Sequence, residues 1–402
     1  MLSSVPRNDR QLYNSETKPK DKKYKLKLRK KKVLLFLLAI FLLYAIWLSI
    51  NVLRFKTYKA PALKSSPLEI EGVYHIHTTY SDGRKSLDEI AKLASQANID
   101  FIILTDHGNP NHESYSSQGW KEGVLVLAGS ELSVSRGHLV ALGFELPSRN
   151  FSHNTEDAFY EIKAGGGFSI IAHPYSKTRW SWGKFVEYGG IEIINGDTAL
   201  KKNILASLPS LPALLIKPEY AFLKMFDSPD RNLRKWDELN NLHPIYGYFS
   251  LDAHLLYRPG LNLLHLHLLL QSPLSEDFDT AKHQVYEALR KGRFYNSIHA
   301  AAHAHGFRFW GEEEEKTVLM GSTIMLDSPV LLNIEAPFPF AKDIHLVHNG
   351  KMIFRSAEDS ISYEVAHPGT YRVEVYLTER SPLGKNIPWI VSNPIFLIED
   401  DK

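Results

Sequence analysis

Short apolar runs alternate with amphipathic stretches through the middle of the chain. Leu68 to Val73 reads as a strand. Behind it, Ser86-Leu87-Asp88-Glu89 forms a capping box in front of Leu87, Ile90, Leu93, Ala94 and Ala97, one apolar helical face. Phe101 to Leu104 then completes a strand–helix–strand unit. Runs at 124–127, 139–142, 168–171, 191–194 and 245–251 continue the series. A helix over 155–164 is stopped by Gly165-Gly166-Gly167, and residues 200–242 read as mostly helical packing segments that include Trp236. From about residue 320 the pattern changes to short alternating runs with turns at His348-Asn349-Gly350 and Pro368-Gly369, which predicts a small antiparallel β-sandwich over 320–402.

A different pattern precedes all of this. Residues 33–53 contain no charge, and a helix of that length spans about 31 Å, the thickness of a bilayer's hydrocarbon core. The apolar stretch and its leader are longer than in a cleaved signal peptide, so a transmembrane anchor is expected. Ten Lys or Arg lie between Lys18 and Lys32, against Arg54, Lys56 and Lys59 beyond the span. The positive-inside rule therefore predicts a cytoplasmic tail over 1–32, polar and disordered to residue 17, a linker over 54–67 and an extracytoplasmic remainder. Residues 1–59 carry 15 basic and 3 acidic side chains, whereas residues 60–402 carry 32 basic and 42 acidic. The folded part is thus acidic, which counts against nucleic acid as a partner. The chain has no cysteine, so disulfides and thiolate chemistry are excluded.

The central strands share a feature at their C-terminal ends. Tyr74-His75-Ile76-His77 is followed by Asp82; Phe101 to Leu104 by Thr105-Asp106-His107; Val124 to Leu127 by Glu131; Phe168 to Ile171 by His173; and Ile245 to Leu251 by Asp252-Ala253-His254, while His138 opens the 139–142 run. On a strand, His75 and His77 present two imidazoles to one face. Ligand-type residues at successive strand ends imply a parallel β/α barrel with its site at that end.

This set, His75, His77, Asp82, His107, Glu131, His138, His173, Asp252 and His254, resembles the nine ligand positions of the polymerase and histidinol phosphatase (PHP) superfamily of metallohydrolases. Ala288 to Tyr295, Gly306-Phe307-Arg308-Phe309 and Pro388 to Ile395 resemble its carbaryl-hydrolase-like branch. The resemblance implies a distorted (β/α)7 barrel over 68–310 and two or three divalent ions, Zn²⁺, Mn²⁺ or Fe²⁺. By analogy, His75, His77, Glu131 and Asp252 hold one ion, Glu131 with His138 and His173 a second, and Asp82, His107 and His254 a third. Such a centre makes hydroxide from a bridging water near neutral pH. The implied activity is hydrolysis of a small phosphate ester. Carboxyl ester, amide or carbamate hydrolysis and a non-catalytic sensor remain as alternatives, and the oligomeric state stays open.

Two other acids are candidates. Asp106 is placed either to orient an imidazole from behind the ligands or to play a structural part only, and Asp197, after the 191–194 run, either to touch substrate or to serve an Asn-Gly-Asp turn without contact to it. His265 and His267 repeat the His-x-His spacing, but no acid closes their strand, so they read as strand residues. His299, His303 and His305 fall past the ninth ligand position and read as surface or substrate-edge residues.

Overall fold

The computed structural model describes residues 19–59, 66, 68–175, 179–184, 187–205, 207–313, 316–379 and 381–399, so the predicted tail up to residue 18 and half of the predicted linker, 60–65 and 67, lie outside the described residues. The chain divides into two units, Met1–Arg54 and Phe55–Lys402.

In the first unit, helix α1 (Pro19–Arg54) runs 36 residues, about 54 Å. It extends N-terminal of the predicted span because the Lys- and Arg-rich stretch before Val33 also keeps helical geometry. Leu34, Phe36, Phe41, Leu43 and Leu53 on it are exposed. It is long and apolar enough to cross a membrane, a test that a signal sequence also passes.

The second unit mixes helices and sheets. Strand β1 (Glu69–Ile76) is parallel to β2 (Phe101–Leu104), and β2 is parallel to β3 (Val124–Ala128). The crossover from β1 to β2 is helix α2 (Leu87–Gln96). Its start carries the capping box: Ser86 Oγ accepts from the Glu89 N–H, and Glu89 Oε2 accepts from the Ser86 N–H at 3.0 Å. A second sheet runs in the order β4 (Ser130–Val134), β5 (Gly137–Leu142), β6 (Phe168–Ile171), β7 (Gly190–Asn195) and β8 (Tyr246–Ser250). Here β6, β7 and β8 are parallel, as the barrel pattern predicts, but β4 and β5 form an antiparallel hairpin and β5 meets β6 antiparallel. Only Ser135 and Arg136 separate β4 from β5, too few for a parallel crossover.

The two sheets meet where the candidate ligands lie. Leu251 and Ala253 donate backbone hydrogen bonds to Tyr74 and His75, and the Glu131 N–H donates to the Asp106 carbonyl. Tyr74, Ile103, Leu127, Val140, Ile170 and Tyr248 form an apolar floor beneath that junction.

On its other edge β1 pairs antiparallel with β9 (His265–Leu269), and β9 with β10 (Phe294–Ser297). Strand Ile390–Ser392 bonds both β10 and Gly369–Leu377, so the C-terminal strands continue the first sheet. Asn296 and Asn393 tie that continuation to β8: their side-chain oxygens accept from Phe249 and Gly247 N–H at 2.7 and 2.8 Å. Arg308–Glu313, which crosses the predicted end of the barrel at residue 310, belongs to a four-stranded antiparallel sheet with Lys316–Leu319, Val330–Glu335 and Ser360–Val365.

Candidate metal centre

All nine candidate ligands converge at the sheet junction, each by a local device. His75 has φ +68° and forms a bulge, so the register with β2 passes from Tyr74↔Ile103 to Ile76↔Leu104. His173 and Asp252 also have positive φ, at 27° and 55°. Such left-handed backbone costs on the order of 1–3 kcal/mol per residue. The loop after His77 is pinned from below by Asp106, which accepts from the Thr78 N–H at 2.6 Å, Thr78 Oγ1 at 3.0 Å and Ser81 Oγ at 2.7 Å. Asp106 therefore fixes the turn that delivers Asp82; of the two roles open to it, its bonds fit the structural one, since they go to that turn and not to an imidazole. At Gly83 a Cβ would stand 2.4 Å from the His77 carbonyl oxygen, so only glycine fits as the turn closes.

The innermost group consists of His75, His77, Glu131 and Asp252. His75 Nε2 lies 3.4 Å from Glu131 Oε2 and 3.5 Å from Asp252 Oδ1; His77 Nε2 lies 3.2 and 3.4 Å from the same oxygens. Ligands about 2.0–2.1 Å from a tetrahedral ion stand about 3.4 Å apart. Neither Nε2 has a hydrogen-bond partner although both rings are fully buried. Buried polar atoms left without a partner are uncommon, and a divalent cation between these four atoms gives both nitrogens one. The donor set fits such an ion.

Glu131 reaches outward as well. Its Oε1 lies 2.8 Å from both His138 Nδ1 and His173 Nε2, and its Oε2 lies 3.3 Å from His107 Nδ1. A further group joins His77, Asp82, His107 and His254, with Asp82 Oδ2 at 3.2 Å from His254 Nε2 and 3.7 Å from His107 Nε2. His77 and His107 thus each turn one ring nitrogen towards one group and the second nitrogen towards another. A neutral imidazole has one lone pair, so each ring can serve one ion.

The electrostatics favour a cation. Burial alone pushes the His75 imidazole down, but Asp252, Glu192 and Glu131 overcome it and raise it well above its ordinary value. For His77, burial is likewise outweighed by Asp252 and Glu131, which hold it up at about 9. Against the opposite effect of burial, His75, His138 and His173 keep the Glu131 carboxyl well below the usual range.

Glu192 is the site residue that the sequence pattern did not single out. It is fully buried; its Oε1 lies 2.6 Å from His75 Nδ1, and its Oε2 accepts from the His173 N–H at 2.7 Å and from Asn195 Nδ2 at 2.9 Å. The same Asn195 amide donates to Asp252 Oδ2 at 3.1 Å. A carboxylate behind a ligating His fixes the ring's tautomer and orientation. One signal was available: Glu192 is an acid inside the otherwise apolar run Ile191-Glu192-Ile193-Ile194.

Above the centre opens a cavity of about 740 Å³. Arg136, Trp182, Asp197, Lys201 and Arg231 line it. Asp197 stands apart from the metal-type groups; its Oδ2 pairs with Lys201 Nζ at 2.5 Å. Arg136 is held by Glu156 and the Trp182 carbonyl.

An α/β scaffold whose strand ends gather imidazoles and carboxylates round shared points makes a class of site that could hold divalent metal ions. The class is narrowed by sequence: residues 74–198 match the family model of the PHP domain, a span that includes every candidate ligand except Asp252 and His254. No curated protein matches the chain significantly. Among solved structures, it is similar to a two-domain protein from Bacteroides vulgatus containing a predicted PHP-like metal-dependent phosphoesterase, with 15% identity over 85% of this chain and 99% of that one and a TM-score of 0.44. A Bifidobacterium adolescentis protein named as a metal-dependent phosphoesterase shares 13% identity over 31% of this chain and 77% of its own, at a TM-score of 0.27. An amidohydrolase from Chromobacterium violaceum, with bound sulfate and no metal, shares 17% over 46% and 87%, at 0.29.

Proposed function

We propose that this chain is a membrane-anchored, multinuclear metal-dependent phosphoesterase acting on small phosphate esters. The observation that carries the reading is Glu131: one buried carboxylate directs oxygens to His75, His77, His107, His138 and His173 together, the arrangement expected of a carboxylate shared between ions. In this reading β1, β2, β3 with β4, β5, β6, β7 and β8 are the seven walls of one distorted barrel, and the C-terminal strands form its sandwich. His75, His77, Glu131 and Asp252 hold one ion, His138 and His173 with Glu131 a second, and Asp82, His107 and His254 a third.

Divalent ions bound there supply an acidified water and positive charge for the oxygens of the ester. The chain's own residues do the rest. Glu192 keeps His75 presenting Nε2, and Asp106 holds the Asp82 turn in place. The Asp197–Lys201 pair and Arg136 give the cavity wall polar contacts for a charged ester, and Trp182 offers an apolar surface to its organic part. The cavity suits a drug-sized ligand and is too small for a duplex. Helix α1 anchors the enzyme, with the basic tail on the cytoplasmic side and the hydrolase outside it.

The test uses the full chain in detergent, loaded in turn with Zn²⁺, Mn²⁺ and Fe²⁺. Turnover of a phosphate monoester, a phosphate diester and a carboxyl ester is measured beside a His75→Ala control. Two or three ions per chain with phosphoester turnover that His75→Ala abolishes is the expected result. Turnover of the carboxyl ester alone, or full loading with no turnover, overturns it.

A further inference from the structure

Five of the chain's 18 histidines lie outside the centre described above and gather round two glutamates of β1. They are His265 and His267 on β9 and His299, His303 and His305 in the segment after β10. The sequence offered no acid to close the His265–His267 strand. The acids come instead from the neighbouring strand, where Glu71 stands in register with His267.

We propose that Glu71, His265 and His299 form a second divalent-metal site, structural in role, of the kind that binds Zn²⁺. Donor atoms of these three side chains all lie within 4.8 Å of one another. Glu71 Oε1 is 2.5 Å from His265 Nδ1 and 2.7 Å from His299 Nδ1, so two imidazoles converge on one carboxylate oxygen at hydrogen-bond spacing, and an ion would part them to about 3.4 Å.

The tautomer of His265 is the informative detail. Its Nε2 lies 2.6 Å from the Leu261 carbonyl oxygen, which can only accept, so Nε2 carries the hydrogen. A neutral ring then points the bare lone pair of Nδ1 at the carboxylate, so either a proton on one of the two groups or a cation held by both has to separate them. The same backbone-carbonyl bond is the usual support of a metal-ligating histidine. The ring stacks on that of His299 at 4.0 Å, and both imidazoles turn a nitrogen to the same carboxylate oxygen. A single cation satisfies both nitrogens and the carboxylate at once.

The two glutamates differ in a way that singles out Glu71. Glu69 already has a permanent counter-charge in Arg308, whose Nη1 donates to it at 2.6 Å, and it accepts from the Tyr295 hydroxyl at 2.5 Å. Among the described residues the side chain of Glu71 faces imidazoles, His265 and His299 at Oε1 and His305 Nδ1 at 3.7 Å from Oε2, while His305 itself groups with Glu69 and His267. Two His and one carboxylate with a fourth position open is a zinc-type donor set.

Glu71 and His75 are four positions apart on β1, about 13 Å along the strand, so the two sites occupy opposite ends of it. The ion would join β1, β9 and the 298–305 segment. That segment in turn holds Thr57 and Tyr58 through Thr57 Oγ1 to the Ala300 carbonyl at 2.9 Å and the His303 N–H to the Tyr58 carbonyl at 2.8 Å.

The experiment counts metal in the full chain in detergent after zinc loading and exhaustive dialysis, for the unmodified protein, His299→Ala and Glu71→Gln. Each variant should hold one zinc fewer per chain while keeping phosphoester turnover within about twofold, and unfold at a lower temperature. His75→Ala should instead abolish turnover. Because the count does not depend on activity, it stands or falls separately from the phosphoesterase reading. An unchanged count in both variants overturns the site and leaves a hydrogen-bonded cluster only. Should the variants fail to fold, a chain carrying His75→Ala, Asp82→Ala and Glu131→Ala, which takes a ligand from each of the three groups of the main centre, is titrated with zinc. A melting temperature that rises with roughly one equivalent supports the second site, and one that does not move refutes it.

Discussion

Replacing Glu192 by glutamine probes the centre without touching a ligand. Both carboxylate oxygens of Glu192 are acceptors surrounded by donors: Oε1 faces His75 Nδ1, and Oε2 faces the His173 N–H and the Asn195 amide. Glutamine keeps the volume but offers one acceptor and one donor. If its oxygen turns to His173 and Asn195, its NH₂ meets His75 Nδ1. That ring must then carry its hydrogen on Nε2, aimed at Glu131 and Asp252 where the ion belongs. If the oxygen turns to His75 instead, its NH₂ meets two donors in a fully buried site. Either way one interaction behind the ligand fails, and such losses cost about 10–100-fold in metal affinity. That corresponds to about 1.4–2.7 kcal/mol. Competition titration of the tightest ion against a chelator in detergent should read this loss, with turnover falling at limiting metal and partly recovering at excess. Unchanged affinity and turnover in Glu192→Gln would refute the assignment of His75 as a ligand oriented by this carboxylate.

Further outcomes follow from the same geometry. Asp82→Ala should remove one ion per chain, read by metal analysis, and leave the innermost ion bound. Asp106→Ala strips the partner from the Thr78 and Ser81 donors, so a loss of roughly 3 kcal/mol in denaturant melts is expected, at about 1–3 kcal/mol per stranded buried donor. In the metal-free protein, carboxylates raise His77 from its ordinary 6.5 to about 9. A raised folded-state value stabilises fully below the unfolded value and loses that stabilisation as pH rises through the folded one. Chelator-treated protein should therefore weaken between about pH 6.5 and 9, and metal uptake at pH 8 should release protons, read by calorimetry in buffers of different ionisation enthalpy. A chain beginning at Phe55, the start of the second unit, should stay in solution and bind as many ions as the full chain.

The parts of the site that were legible in the sequence are those governed by local rules. Strand periodicity put His75 and His77 together, and the capping box set the start of α2. Less legible was whatever depends on which strand lies beside which. Glu192 looked like an interruption in an apolar strand because its partners, His75 and the His173 amide, are 117 and 19 residues away. The acids facing His265 and His267 could not be read from their own strand, since they sit on β1, nearly 200 residues earlier. Likewise the two-residue connection between β4 and β5 dictates a hairpin, but the ligand at its start, His138, invited the same reading as the parallel strands. The C-terminal strands looked autonomous by their alternation, yet Ile390–Ser392 finds its partner in β10. Alternation marks a strand without naming its neighbour.

Three of the ligands, His75, His173 and Asp252, sit at left-handed backbone positions. His, Asp and Asn tolerate that region better than most residues, whereas β-branched residues hardly enter it. This gives the centre an inheritance that outlasts its chemistry. A descendant that stopped binding metal would not be free to refill these places with the Val and Ile that strands ordinarily recruit. Drift there should run towards Gly and Asn, and a lineage in which it does would still carry the outline of the lost centre in its backbone.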